Sequence, residues 1–238
     1  AGARIVEIPV SDAGVLHYQR LEDELRRWTD PAHARREGFV TPPRLIGAFT
    51  AASNITGLLV DADRVCATLH SYGARAVIDY ACAAPYVELD MNPTTYGGQA
   101  YRDAIAIATH KFLGGPQTPG ILLVRSDGCE SGFPQQGGGG GTVFYVTHDD
   151  QTYLRELEER EEGGTPAIVE SIRAGLVFQL KHTVGERTIY EIEQRHAQQG
   201  MARLLRVPEI HVLGPVNLSV APRLPVFSIV VASPTGKQ

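Results

Sequence analysis

Three chemically versatile side chains occur where predicted strands end. Asn54 follows one apolar segment, Asp79 lies near the end of a second, and Lys111 comes shortly after a third. A lysine amine can form a Schiff base with an aldehyde, and a carboxylate can keep a neighbouring nitrogen atom protonated. The combination of Lys111 with Asp79 therefore indicates covalent chemistry on a carbonyl compound.

Few other residues of this chain could supply a catalytic amine. Only three lysines are present, Lys111, Lys181 and Lys237, and the other basic residues of the 22 are arginines. An arginine stays protonated and does not readily form a Schiff base. Lys111 precedes the sequence Gly-Gly-Pro at residues 114–116, and glycines there let the backbone lie close to a ligand.

Strands that alternate with helices must position these residues. Apolar and alternating segments predict strands at residues 4–9, 44–50, 75–80, 103–108, 120–125, 142–146, 210–213 and 225–231. Helical periodicity predicts helices at 18–28, 61–72, 166–184 and 186–206, and loops are expected at 30–43 and at 126–141, which ends in five glycines. This order predicts an α/β fold with a mainly parallel sheet flanked by helices. Ligands of such sheets bind at the C-terminal ends of the strands, so Asn54, Asp79 and Lys111 are expected at one rim.

The composition is that of an ordinary folded protein. Hydrophobic residues make up 43% and charged residues 21%, with a net charge of −5, which gives no reason to expect nucleic acid or an anionic membrane as a partner. The three cysteines are widely spaced without a CxxC pair, which argues against a metal site and fits a reducing, cytoplasmic compartment. No apolar run of about 18 residues occurs, so no membrane span is expected.

Pyridoxal 5′-phosphate is a cofactor whose needs match these residues. It requires an amine for its aldehyde, a carboxylate that keeps its pyridine nitrogen protonated, and donors for its phosphate, often from loop amides and helix N-termini. Lys111 and Asp79 supply the first two. Taken singly, Lys111 also fits a surface lysine, Asp79 a helix cap or ion-pair partner, and Asn54 an Asx-turn, so the pattern is judged jointly.

Four segments together resemble the class V aminotransferase family of fold-type I pyridoxal-phosphate enzymes. This family includes cysteine desulfurases, selenocysteine lyases and isopenicillin N epimerase-like proteins. The segments are Ser53-Asn54-Ile55-Thr56-Gly57, Asp79-Tyr80-Ala81-Cys82, His110-Lys111-Phe112-Leu113-Gly114-Gly115-Pro116 and Glu162-Gly163-Gly164-Thr165-Pro166. Each is weak alone, but their shared order and spacing over residues 44–185 make the resemblance specific.

The resemblance implies roles for residues around the cofactor ring. Lys111 is expected to hold pyridoxal phosphate as a Schiff base and to move the substrate α-proton, while Asp79 pairs with the pyridinium nitrogen. Asn54 is expected near the O3′ side of the cofactor and the substrate carboxylate, and Ala81 against one face of the ring. Cys82 stands where many desulfurases have a glutamine that contacts O3′, and a thiol is a weak donor.

The resemblance also implies contacts with the phosphate and a second subunit. His110 is expected to reach the phosphate, and Thr165 to contact the phosphate of the neighbouring subunit's cofactor. A homodimer with shared active sites follows from that role. Cys66 is expected in the core and Cys129 on a loop, and neither is expected to be a reactive nucleophile.

The expected domain organisation has two parts. Residues 1–185 are interpreted as the large cofactor-binding domain, incomplete at its N-terminus, and residues 186–238 as a linker helix and the start of a small α+β C-terminal domain. Four features of the family cannot be assigned in the chain: the phosphate loop, the ring-stacking residue, the arginine for the substrate carboxylate and the nucleophilic cysteine of desulfurases.

The leading functional hypothesis is a pyridoxal-phosphate enzyme that acts on a small amino acid, in the manner of a cysteine desulfurase or selenocysteine lyase. A class V aminotransferase or an epimerase is the first alternative. A non-catalytic module that keeps the fold for dimerisation or regulation is the second. A nucleotide-binding domain has little support, because the chain lacks GxGxxG after its first strand and lacks GxxxxGK[ST].

Overall fold

A computed structural model describes residues 3–129, 134, 139–219 and 221–233. The helices are Tyr18–Thr29 (α1), Pro31–Arg36 (α2), Ala62–Ser71 (α3), Leu157–Glu161 (α4), Ile168–Val184 (α5) and Glu186–Leu204 (α6). The strands are Ile46–Thr50 (β1), Arg75–Asp79 (β2), Ala104–Ala108 (β3), Gly120–Val124 (β4), Val143–Val146 (β5), Gln151–Tyr153 (β6), Ile210–Val212 (β7) and Ile229–Val231 (β8).

The central sheet has the order β1-β2-β3-β4. The first three strands are parallel, and β4 runs antiparallel to β3. Thr50 is in register with Asp79, and Asp79 with Ala106, so the C-terminal ends of β1, β2 and β3 meet at one rim. This arrangement is the mainly parallel α/β sheet that the sequence predicts. β5 with β6 and β7 with β8 form two further antiparallel pairs.

Helix α3 packs on β1 and β2 with an apolar stripe, and α1 packs on α2 and α3. In α3 the fully buried side chains are Val65, Cys66 and Leu69, and the carboxylate of Asp61 caps the first turn by accepting a hydrogen bond from the Arg64 N–H at 3.0 Å. Such a cap stabilises a helix by about 1 kcal/mol. Burial of Cys66 confirms its expected place in the core. The spacing of Leu21, Leu25 and Trp28 predicts one apolar face for α1, and these three side chains are the buried ones.

Several predicted elements differ from the structure. Residues 4–9 are not a strand, because an alternating pattern forms one only where a neighbouring strand supplies hydrogen bonds, and only Val10 forms an isolated bridge, with Leu16. The predicted loop at 30–43 contains α2, which begins because Pro31 occupies its first position and Asp30 accepts a hydrogen bond from the Ala32 N–H at 2.9 Å.

Smaller corrections concern the extent and burial of elements. The short apolar run at residues 44–50 predicts a buried strand, whereas β1 lies at the edge of the sheet with alternate residues exposed. The strand expected at 225–231 is restricted to β8, and Pro166 precedes α5 instead of lying in its first turn. Part of the glycine-rich loop at 126–141 lies outside the described residues. Within the described ranges, the helices are too short or too polar to cross a lipid bilayer.

Candidate active site

A cavity of about 1730 Å³ runs along the edge strand β1 and reaches the C-terminal rim of the sheet. Its walls include five of the seven residues that the sequence assigns to the site: Asn54, Asp79, Ala81, Cys82 and Lys111. They come from the turn after β1, the end of β2 and the turn after β3. The sheet topology therefore brings together groups that are far apart in sequence.

Asp79 is the last residue of β2, and its side chain is held in place by the following turn. Its Oδ1 accepts a hydrogen bond from the backbone N–H of Ala81 at 2.7 Å, which is a short-range Asx-type contact. The carboxylate is exposed to the cavity. In the described part of the chain, its second oxygen, Oδ2, has no hydrogen-bond partner. One carboxylate oxygen is thus anchored and the other faces the cavity.

Lys111 ends a short 3-10 turn, Thr109–Lys111, that directly follows β3. The turn is tied to the protein on both sides of Lys111. Thr109 is fully buried, and its hydroxyl donates to the carbonyl oxygen of Pro119. Phe112 is buried and packs edge-to-face on Phe178 of α5, with 5.1 Å between ring centres. The Lys111 amine itself forms no hydrogen bond or ion pair with any described residue, so it is available to a ligand.

The turn Ser53–Gly57 presents Asn54 at the cavity. The Ser53 hydroxyl oxygen accepts hydrogen bonds from the backbone N–H groups of Ile55 and Thr56, at 3.2 and 3.1 Å. The Gly57 N–H donates to the Ser53 carbonyl at 2.8 Å, and Gly57 adopts φ = +72°, a conformation that glycine reaches without strain. Ser53 and Gly57 thus fix the turn, which leaves the Asn54 side chain free to reach a ligand.

The pKa of the Cys82 thiol depends on the charges around the cavity. Burial raises the pKa of its thiol, the positive charge of Lys111 opposes this rise, and the negative charge of Asp79 adds to it. The net pKa lies above the usual value for cysteine, so at neutral pH the thiol stays protonated. The pKa of Cys82 therefore responds to both the Lys111 amine and the Asp79 carboxylate, and the protonated thiol is a poor nucleophile.

Two predicted site residues lie apart from these five. His110 and Thr165 are both exposed, and neither lines the cavity. His110 neighbours Lys111 in sequence but is on the outside of the same 3-10 turn. The phosphate contacts expected of these residues are therefore not tested by the geometry of the cavity.

Sequence reasoning missed the contribution of the C-terminal segment. Ala221 and Pro222 line the cavity together with Asn54, and the next residue, Arg223, is completely buried. These residues belong to the sequence Ala-Pro-Arg-Leu-Pro, whose two prolines and single arginine carry no recognised motif. The described residues contain no group of three acidic, histidine or cysteine side chains suited to a metal ion.

The fold and the rim of polar residues define an α/β protein with a ligand site at its strand ends, and comparison with known proteins identifies its family. The model of the family described as aminotransferase class V matches residues 1–233. The chain therefore belongs to the class V aminotransferase family, as the four motifs predict.

Curated relatives of the chain include cysteine desulfurases. A probable cysteine desulfurase of Streptomyces coelicolor is 28% identical over 178 residues, which cover 75% of this chain and 40% of the relative. A probable cysteine desulfurase of Halalkalibacterium halodurans is 25% identical over 214 residues, covering 90% of this chain and 47% of the relative. The chain thus spans less than half the length of these two proteins.

Solved structures show the same fold. A cysteine desulfurase from Thermococcus onnurineus, solved without ligand, superposes with a TM-score of 0.71 at 23% identity, covering 94% of this chain and 49% of that one. A mutant of C-DES with glycine covalently linked to its pyridoxal-phosphate cofactor gives a TM-score of 0.66 at 18% identity, covering 92% of this chain and 51% of the other. These likenesses confirm the predicted fold class.

Proposed function

We propose that this protein is a pyridoxal-phosphate enzyme of the cysteine desulfurase kind. The observation that carries the proposal is the presence of one amine, Lys111, and one carboxylate, Asp79, in the wall of a single cavity. They reach it from the ends of adjacent parallel strands. Cysteine desulfurases among the curated relatives support this choice over an aminotransferase or an epimerase.

The residues of the cavity fit the chemistry of pyridoxal phosphate. Oδ2 of Asp79 is available to accept a hydrogen bond from a protonated ring nitrogen, because Oδ1 is already bound to the Ala81 N–H. Ala81 offers a small, partly exposed side chain beside that carboxylate, against which a flat ring can pack. Lys111 supplies a primary amine without a competing partner among the described residues.

When bound, pyridoxal phosphate supplies an electron sink that stabilises negative charge at the substrate Cα. Lys111 would hold the cofactor through Nζ, and its free amine would be the base that accepts the proton from the substrate Cα. Asp79 keeps the ring nitrogen protonated, which maintains the electron demand of the ring. Asn54 and Cys82 would supply the contacts on the O3′ side, and His110 would bind the phosphate.

We propose L-cysteine as the substrate, with removal of its sulfur as the reaction. That reaction requires a thiolate to receive sulfur. Cys66 is excluded because burial raises its pKa to about 11 and its side chain is inaccessible. Cys82 is disfavoured by its raised pKa. Cys129 is partly exposed but does not line the cavity. We therefore assign the sulfur acceptor to none of these three residues and propose that an added thiol takes the sulfur, so that L-cysteine and the thiol give alanine and a persulfide, which a second thiol reduces to sulfide.

We further propose that the protein is a cytoplasmic homodimer. An exposed apolar stripe on α5 supports an interface with a second copy; its residues are Ile168, Ile172, Leu176 and Leu180. Thr165 precedes this helix and is exposed, consistent with a contact to the partner's cofactor phosphate. All three cysteines are unpaired, which supports a reducing compartment. Light scattering during size-exclusion chromatography tests the dimer, and a monomeric mass contradicts it.

The proposed domain division lies between residues 185 and 186. Gly185 separates α5 from α6 and has φ = +92°, a conformation that ends the first helix and lets the second begin in a new direction. Residues 1–185 contain the four-stranded sheet, and residues 186–238 contain α6 and the β7–β8 pair. This division supports the proposal of a cofactor-binding domain followed by a smaller unit.

Chemical labelling tests the proposed cofactor site. The purified protein is incubated with pyridoxal phosphate, reduced with borohydride and digested, and mass spectrometry locates the pyridoxyl group. We expect a single major adduct on Lys111. Lys111→Ala should lose it, whereas Lys237→Ala should retain it. A folded protein without an adduct on Lys111 contradicts the proposal.

A second measurement tests the reaction. The protein is loaded with pyridoxal phosphate without borohydride reduction and is incubated with L-cysteine and a thiol reductant. Alanine and sulfide are then quantified. Equal amounts of alanine and sulfide support a desulfurase. Formation of a keto acid that keeps the sulfur, with the amino group passed to an added keto acid, identifies an aminotransferase instead, and loss of optical activity without sulfide identifies an epimerase. A protein that binds the cofactor but changes no amino acid supports the non-catalytic module.

A further inference from the structure

Arg223 is a fully buried cation that the proposed chemistry does not use. Its guanidinium group donates only to backbone carbonyl oxygens, which belong to Pro215 (3.3 Å), Leu213 (3.4 Å), Val226 (3.1 Å) and Thr56. No carboxylate forms an ion pair with it in the described ranges, and burial lowers its pKa. The guanidinium carbon also lies 5.1 Å from the centre of the Phe227 ring, whereas the buried Nε has no hydrogen-bond partner among the described residues. A buried charge held by carbonyl oxygens and an aromatic ring costs free energy unless these contacts are well formed, and these contacts join the segments that supply them.

The carbonyl oxygens around Arg223 come from two separate parts of the chain. Thr56 belongs to the turn that presents Asn54, and the other three acceptors belong to residues 213–226. Arg223 and Thr56 are 167 residues apart in sequence. The planar guanidinium offers five N–H donors in a fixed arrangement, which allows one side chain to bind both parts at once.

Other contacts join the same two segments. The Leu224 N–H donates to the Gly57 carbonyl at 2.9 Å, and the Ser228 hydroxyl donates to the Ile55 carbonyl at 2.6 Å. Gly57 is packed so closely that a Cβ atom there would lie 2.8 Å from the carbonyl oxygens of Leu224 and Val226. The turn therefore cannot move without moving the C-terminal segment.

Both segments also reach the cavity. Ala221 and Pro222, which directly precede Arg223, line it beside Asn54. The Leu59 N–H donates to the Pro222 carbonyl at 2.9 Å, which fixes this wall against the chain that follows the Asn54 turn. The bonds of Arg223 thus fix the Asn54 turn relative to the segment that contributes Ala221 and Pro222 to the cavity wall.

We propose that Arg223 is a positioning residue that holds Asn54 against the cavity wall formed by Ala221 and Pro222. It acts through the Thr56 carbonyl and touches neither cofactor nor substrate. The inference rests on the proposed function in one respect, since it takes Asn54 to contact the bound cofactor. The inference adds that the segment containing Arg223 controls the position from which Asn54 contacts the cofactor.

A double-mutant cycle tests this coupling with pyridoxal phosphate as the probe. The first variant is Arg223→Lys, which keeps the positive charge but loses the planar guanidinium group. The second is the milder Ser228→Ala, and each of the two is also combined with Asn54→Ala. Arg102→Lys is the control for loss of a buried guanidinium group, because Arg102 is also buried, does not line the cavity, and binds the Ala100 carbonyl, Asp63 and the Tyr80 hydroxyl. Cofactor affinity is measured by visible absorption, at a temperature where every variant is folded by circular dichroism.

We expect Arg223→Lys to weaken cofactor binding about tenfold, the size of effect typical when a supporting hydrogen bond around a bound group is lost. Ser228→Ala should weaken it less. In the Asn54→Ala background both effects should disappear, because non-additivity is the signature of residues that act together. Additive effects, or an equal loss of affinity in Arg102→Lys, would overturn the inference. If Arg223→Lys does not fold, Ser228→Ala tests the inference alone. Its effect on cofactor affinity should then disappear in the Asn54→Ala background.

Hydrogen exchange separates failure of this inference from failure of the proposed function. If the wild-type protein binds no pyridoxal phosphate, the proposed function has failed, but the coupling is still measurable. Amide exchange at Gly57 and Leu58 should then be faster in Arg223→Lys than in the wild type, and unchanged in Arg102→Lys. Equal exchange in all three proteins would refute the positioning role.

Discussion

Asp79 and Lys111 face the same cavity from neighbouring strands. Asp79 ends β2 in register with Ala106 of β3, and Lys111 ends the 3-10 turn that follows β3. Parallel pairing forces the two strand ends to the same rim, so no long-range contact between the two side chains is needed to bring them together. The amine and the carboxylate therefore line one cavity, as the proposed cofactor requires.

Removal of the Asp79 charge should impair catalysis more than folding. Asp79→Asn keeps an oxygen that can accept the Ala81 N–H but loses the negative charge, so the ring nitrogen of a bound cofactor is no longer held protonated. We expect a decrease in turnover of about 10²–10³-fold, the range for loss of one electrostatic partner at a reacting centre. Steady-state kinetics with L-cysteine measure it, alongside thermal unfolding.

Asp79→Ala serves as the comparison for this variant. It removes both the charge and the acceptor for the Ala81 N–H, so it should also lower the unfolding temperature, while Asp79→Asn should not. Near-normal turnover in Asp79→Asn would remove Asp79 from the proposed chemistry.

The three cysteines should react with an alkylating reagent at different rates. Burial raises the pKa of Cys66 to about 11, so at pH 8 only about one molecule in a thousand carries the thiolate. We expect Cys66 to remain unmodified until the protein unfolds. Cys82 lines the cavity, so pyridoxal phosphate should protect it. Mass spectrometry of digests measures both effects.

Cys129 provides the internal control for the protection experiment. It is partly exposed and does not line the cavity, so its alkylation rate should not change when the cofactor is added. Equal protection of Cys129 and Cys82, or none at Cys82, would contradict the proposed location of the bound cofactor.

The sequence predicted those parts of the site that depend on local patterns. Asp79 and Lys111 each follow a short apolar strand, and the turn around Asn54 is built by Ser53 and Gly57 within five residues. In such cases the residues that fix the local backbone are adjacent in sequence to the candidate site residue. Hydrophobic periodicity likewise predicted α1, α3, α5 and α6.

The sequence did not predict features that depend on distant contacts. The role of Arg223 arises from a hydrogen bond to Thr56 that spans 167 residues, and no local pattern indicates that contact. The segment 4–9 alternates as a strand does but has no strand partner, and only the completed sheet could reveal this. α2 was missed for a different reason: the prolines of the segment suggested a loop, whereas Pro31 starts a helix.

Asp103 should make the protein sensitive to acid. Burial raises the pKa of its carboxyl group, but hydrogen bonds from the Ala76 N–H at 2.7 Å, from His70 and from Arg75 outweigh this effect, and the net pKa is lowered. A carboxylate whose pKa is lower in the folded state stabilises that state above the unfolded pKa of about 3.9. This stability is lost as the pH falls from there through the folded value.

Asp103→Asn isolates this contribution. At neutral pH the variant should be less stable than the wild type by about 1–3 kcal/mol, because buried donors lose a charged acceptor. The difference should shrink below about pH 4, as the wild-type carboxylate becomes protonated. Urea unfolding at several pH values measures it. A difference independent of pH would show that packing, and not charge, is responsible.

Gly115 should be essential for the position of Lys111. A Cβ atom at residue 115 would overlap with the carbonyl oxygen of Thr109 and lie 3.0 Å from that of Phe112, and these two residues begin and follow the turn that ends in Lys111. Gly115→Ala must therefore displace the turn, at a cost of about 1–3 kcal/mol in unfolding free energy. It should also slow formation of the borohydride-fixed adduct on Lys111.

Gly175→Ala is the control, since its Cβ would meet no neighbour within 4 Å in α5, and it should stabilise the protein by about 0.5–1 kcal/mol. If Gly115→Ala labels Lys111 as fast as the wild type does, the packing of this glycine is not what orients the amine.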